Sequence, residues 1–157
     1  MAPENRLVRT IAWILAFAGA VPFAVATVAL TSPHSQVRVP AIAAMVTYAA
    51  VILSFLGGIE WGVALREGPL GAPAIARERF RAAALVVSAV PSLAAWGLLW
   101  LPSPQWQLAA ALGLFVLVCA VDLGFARQGL LPSWFVNLRT AATALVGAIL
   151  AVALYLL

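Results

Sequence analysis

Three ionisable side chains stand inside long apolar runs of this chain. Glu60 lies in YAAVILSFLGGIEWGVALR (Tyr48 to Arg66), Asp122 in the run ahead of Arg127, and Arg139 shortly after Trp134. A lone carboxylate or guanidinium in such surroundings is costly, so each of them demands a partner. Glu60 precedes Arg66 by six residues, Asp122 precedes Arg127 by five, and Arg139 follows Trp134 by five. At the helical rise, these separations put all three roughly 8–9 Å in from the same end of their helices. Arg139 is therefore expected to meet Glu60, Asp122 or both through charge-assisted hydrogen bonds, forming a buried polar cluster. Two acids against one arginine leave a surplus carboxyl, the group that could carry a proton. Two readings stay open: the cluster only fixes helix register, or it is a proton or ligand site. Groups one turn from a membrane surface can also snorkel to water.

The surface around Glu60 adds candidates. Ser54, Gly57, Gly58 and Trp61 follow the i, i+3, i+4, i+7 pattern, and Gly58 and Gly62 form a G-x-x-x-G spacing that permits close backbone approach. Tyr48, Ser54, Gly57, Gly58, Trp61, Gly62 and Trp134 are thus candidates for helix packing or for lining a ligand gap. Other chemistries find no support. His34 is the single histidine and falls in a loop, which excludes a bis-His haem site and leaves a metal site without a second imidazole. There is no phosphate-binding G-x-x-x-x-G-K-[ST] loop and no grouped Ser/His/Asp set. Catalytic residues, metals and cofactors are therefore expected to be none. The single cysteine, Cys119, cannot form an intrachain disulfide and reads as a small buried hydrophobe.

The elements that must position these residues follow from composition. With 65% hydrophobic residues, 9% charged residues and a mean hydropathy of +1.08, 157 residues cannot hide their apolar surface in a soluble core. The chain is predicted to be an all-α integral membrane protein, a single five-transmembrane-helix bundle with helices over about 11–30, 41–65, 80–101, 106–126 and 135–157. A signal peptide cleaved after Ala26 is the rival reading of the first run, which is longer than a usual apolar signal core. Thr31 to Pro40 reads as a loop, and the Gly- and Pro-rich stretch after Arg66 as a break. Pro91 predicts a kink whose freed carbonyl is met by Ser88, Ser92 or a neighbouring helix. No soluble domain is expected on either side.

Arg6, Arg9, Arg66, Arg77, Arg79, Arg81, Arg127 and Arg139 fall on one side of that arrangement and only Arg38 on the other. This asymmetry predicts a cytoplasmic N-terminus and an outside C-terminus. Trp96, Trp100, Trp106 and Tyr155 would mark the outer interface, and Trp61 and Trp134 the inner one. The arginines are dispersed, which argues against nucleic-acid binding.

The run YAAVILSFLGGIEWG, Asp122 and LPSWFVNLRTAATAL together resemble an uncharacterised family of small five-helix membrane proteins of bacteria and mitochondria that includes transmembrane protein 69. The resemblance covers nearly the whole chain. Tyr48, Ser54, Phe55, Gly57, Gly58, Trp61, Gly62, Asp122, Pro132, Trp134, Leu138 and Arg139 match its pattern, whereas the position of Glu60 is often His or basic in the family. It implies the fold and a membrane location but supplies no activity. The translocator-protein family has similar length and tryptophan content, but its Trp-Pro-rich first loop is missing here. The expected function is a non-catalytic accessory or assembly protein of the bacterial inner membrane, in contact with the lipid bilayer and with a membrane-protein partner or a second copy. The alternatives are a small proton-coupled transporter or channel using the cluster, and a binder of a hydrophobic ligand such as a quinone or porphyrin near Tyr48, Ser54 and Trp61. A second helix packed on all sides, with no gap beside Gly57, would exclude the last.

Overall fold

The computed structural model describes residues 4–65 and 73–157. These form six helices: α1 (Glu4–Ala18), α2 (Val21–Leu30), α3 (Ser35–Ala64), α4 (Ala74–Leu98), α5 (Pro104–Arg127) and α6 (Ser133–Leu156). They make five membrane spans, α1 and α2 together supplying the first over Arg6–Leu30. An all-helical solution is what the bilayer requires, because only local hydrogen bonding satisfies each backbone amide there. The chain is a multi-pass membrane protein.

The first span was expected to run unbroken, and Pro22 is why it does not. Its ring has no N–H to return to the Ala18 carbonyl, so the helix is interrupted at Gly19 and Ala20, where the Ala20 amide turns back to Phe17 O at 3.0 Å. Pro40 behaves differently. It sits inside α3, which begins at Ser35 and not near residue 41, so one lost hydrogen bond does not end the helix. α4 likewise begins earlier than expected, directly after Pro73, and carries Arg77, Glu78, Arg79 and Arg81 in its opening turns. Arg66 and the Gly68, Pro69 and Gly71 break lie outside the described residues.

α4 continues through Pro91, and the Ser88 hydroxyl donates to Leu85 O at 2.7 Å and not to the carbonyl Pro91 frees. Ser103 caps α5 by accepting from the Trp106 amide at 3.4 Å, with Pro104 in the first turn. The same helix stops at Gly129, whose φ of +75° few other residues adopt. There the Leu130 amide reaches Phe125 O at 3.1 Å and the Gly129 amide reaches Ala126 O at 2.9 Å.

α3 is the central element, packed against α2, α4 and α5. Its tightest seam is with α4 at Gly57, where an added β-carbon would lie 2.5 Å from the Ser88 carbonyl oxygen and 3.5 Å from the Pro91 ring. Only a glycine lets the two backbones approach this far. The apolar interior divides into two clusters. The larger holds Phe23, Met45, Leu53, Leu108, Phe115 and Leu150, while a smaller one gathers Val63, Ala64, Ala84, Phe125 and Leu130 at one end of the bundle. Arginines tie off two helix ends: Arg38 Nη2 donates to Leu156 O at 3.3 Å and Arg81 Nε to Ala64 O at 3.1 Å. Trp96, Trp100, Trp106 and Tyr155 all project outward from the bundle.

Candidate functional site

Between the two apolar clusters lies a thin charged layer. Arg139 of α6 donates from Nε to Asp122 Oδ2 of α5 at 2.6 Å, a charge-assisted bond joining neighbouring helices. Glu60 of α3 is within electrostatic reach of both partners but makes no hydrogen bond to the protein through either carboxylate oxygen. The layer is buried: Glu60 is 1%, Asp122 3% and Arg139 7% exposed. The smaller cluster, where the Phe80 and Phe125 rings meet edge-on at 5.9 Å, packs on the next turn and separates these groups from the bundle's end. Snorkelling to water is therefore not how these charges are accommodated. Asp122 Oδ1, Arg139 Nη2 and Thr143 Oγ1 are also buried without a protein partner. The layer thus holds one satisfied ion pair and several unused hydrogen-bonding atoms, a state that burial penalises unless another group completes it.

One wall of the layer opens on a cavity of about 580 Å³ between α1, α3 and α6. α1 packs chiefly on α6 and stands off α3, and the space left between them is the cavity. Tyr48 and Ile59, eleven residues apart on α3, both line it, which makes it a slot roughly 16 Å long. Phe23 and Phe115 form its inner wall, and Arg139 and Thr143 are among the α6 residues that line it, the Arg139 Nη2 and Thr143 Oγ1 atoms themselves being buried. Leu15, Val51 and Phe55 line it as well and are themselves largely exposed, so its mouth is on the outer, lipid-facing surface. Among the described residues, no three His, Cys, Asp or Glu side chains gather as a metal ion would require.

The structure distributes the sequence candidates unevenly. Tyr48 lines the cavity, stacks at a tilt on Phe23 with centroids 5.0 Å apart, and donates its hydroxyl to Gly19 O at 3.1 Å. That carbonyl belongs to the interruption before Pro22, so the phenol pins the broken span to α3. Ser54 is not in the cavity: it is exposed, and its hydroxyl donates to Ala50 O of its own helix at 2.9 Å. Trp61 also points outward, away from the slot. Gly58 and Gly62 are open, with nothing within 4 Å of an added β-carbon, so the close approach inside the chain is made by Gly57 and not by the G-x-x-x-G pair. The reason is rotation: one residue along a helix turns the side-chain direction by about 100°. Trp134 is half-buried, its ring edge-on to Phe135 with centroids 6.0 Å apart. Thr143 was not singled out from sequence, although its position four residues after Arg139 places it on the same helix face.

Residues 8–155 match the model of a family described as protein of unknown function, DUF3429. Over 130 residues the chain is 35% identical to transmembrane protein 69 of Xenopus tropicalis, an alignment covering 82% of this chain and 47% of that protein. The chain therefore spans about half the length of the relative it matches. No solved structure matches it. The family match takes in the charged layer, the cavity and nearly all of the five spans, and on that ground this multi-pass membrane protein belongs to the DUF3429 family.

Proposed function

We propose that this protein is a non-catalytic accessory protein of the membrane that holds a hydrophobic ligand in the slot between α1, α3 and α6. The slot itself carries the reading. At about 580 Å³ it falls within the range of small-molecule pockets, its wall is apolar and aromatic with few polar atoms, and its mouth faces the lipid. A bundle without such a role would be expected to close the space, because helix association within a bilayer depends on side-chain packing. The arginine asymmetry supports a cytoplasmic N-terminus and an outside C-terminus, and the reading places the chain in the bacterial inner membrane beside a membrane-protein partner or a second copy. Extraction in mild detergent followed by mass spectrometry tests the ligand and the partner together. A hydrophobic compound enriched over bulk lipid, and lost in Ala142→Phe, is the expected result. Equal lipid profiles for the two proteins would count against the ligand.

The second reading, proton-coupled transport, draws on Glu60, whose two carboxylate oxygens are buried without a protein partner beside an ion pair. Such a carboxyl can carry a proton through an apolar layer. Proteoliposomes in which Glu60→Gln leaves ion and metabolite flux at the level of empty vesicles, as the unaltered protein does, would eliminate it.

A further inference from the structure

The slot offers its ligand a particular kind of polar contact. Arg139 commits Nε to Asp122, while Nη2, a donor in every protonation state, has no partner. One helical turn on, Thr143 lines the same slot with its hydroxyl likewise unpartnered and buried. That hydroxyl breaks a local habit. Thr27 and Thr140 donate to the carbonyls four residues back, Phe23 O at 2.8 Å and Val136 O at 2.9 Å, whereas Thr143 makes no such bond. Neither of these buried donors, four residues apart on α6, is met by the unused carboxylate oxygens of Glu60 and Asp122, and an acceptor seated in the slot that both residues line would complete them. Its charge is constrained as well. The guanidinium is already matched by Asp122, and Glu60 stands within electrostatic reach, so an anionic headgroup would bring a further negative charge to a layer whose one cation is taken.

We propose that the ligand presents an uncharged hydrogen-bond acceptor, a carbonyl oxygen such as a tailed quinone carries, to Arg139 and Thr143, with its apolar tail along Phe23 and Phe115. This rests on the ligand reading above and adds the headgroup chemistry to it. The slot's length of roughly 16 Å accommodates a ring followed by a chain of several carbons. Entry past Leu15, Val51 and Phe55 suits a molecule already dissolved in the bilayer.

The test uses the full chain in phosphatidylcholine nanodiscs and three probes of similar reach: decylubiquinone, dodecanoate and dodecylbenzene. Decylubiquinone is expected to bind saturably and at least about tenfold more tightly than the other two. Thr143→Val should weaken it roughly fivefold, as the loss of one hydrogen bond does, while leaving the melting temperature of the unliganded protein unchanged or higher. Thr143→Ser, which keeps the hydroxyl, should retain the affinity. Ala16→Phe, which intrudes on the slot, should abolish binding. Dodecanoate or dodecylbenzene binding as tightly as decylubiquinone, or Thr143→Val without effect on affinity, overturns the headgroup assignment and leaves the cavity reading standing. If none of the three probes binds, both fall.

Discussion

α3 meets its two neighbouring walls in opposite ways. Towards α4 it presents Gly57 and closes until the Ser88 carbonyl stands where a side chain would begin; towards α1 it presents Tyr48, Val51 and Phe55 and stays apart, leaving the slot. Within a bilayer the apolar surfaces of two helices gain nothing by leaving lipid for one another, so complementarity of shape decides which seams shut. One face of α3 is therefore structural and the other is available for binding, on the same three turns of helix. Arg139 stands at the border of the slot and the charged layer. Its Nε holds α5 to α6, and its side chain forms part of the slot wall.

The largest effect is expected at that border. Arg139→Gln leaves Asp122 buried without its cation and should cost about 3–5 kcal/mol, read as a large fall in melting temperature in detergent. Unchanged melting would mean that the ion pair does not hold the closed half of the bundle together. Gly57→Val attacks the seam itself. Its β-carbon must displace the α4 backbone, at about 1–3 kcal/mol; thermal unfolding of this variant beside Gly58→Ala isolates the contribution of close approach. Tyr48→Phe removes the hydrogen bond that crosses from α3 to Gly19 and should cost about 1 kcal/mol, with faster amide exchange around the interruption of the first span. Gly58→Ala, one residue from the seam but facing open space, should change stability by less than about 0.5 kcal/mol. If Gly58→Ala proved as damaging as Gly57→Val, the close seam would have been assigned to the wrong face.

How much of this was legible beforehand depends on which geometric quantity a feature needs. The five spans follow from the lengths of the apolar runs, because bilayer thickness sets the number of residues required. Depth was also legible. Counting from flanking Arg127 and Trp134 puts Asp122 and Arg139 at one level, and they bond there at 2.6 Å. Azimuth was not: spacing alone cannot say whether Gly57 or the Gly58–Gly62 pair faces a neighbour, nor that Ser54 and Trp61 turn outward while Tyr48 turns in. Helix ends shifted where proline was read too simply, since Pro40 sits inside a helix whereas Pro22 interrupts one. The slot could not have been read at all. It is produced by a standoff between α1 and α3, and nothing in either segment taken alone encodes the distance between them. Thr143 was missed for the same reason, being one apolar-run threonine among several until the space beside it is known.

The interruption before Pro22 bears on how the slot is reached. It divides the first span into a post and an arm. The post, α2, is anchored by the buried Phe23, Ala26, Thr27 and Leu30, whereas none of residues 6–18 in the arm is buried. The continuous i→i−4 ladder that would make the span one stiff rod is broken at their junction, where Pro22 has no amide to give to Ala18. An outward bend of the arm about that junction would widen the mouth beside Leu15 and leave the post and the packed core in place. Reaching the slot by that route would take the flexing of half a helix in lipid, without parting the bundle.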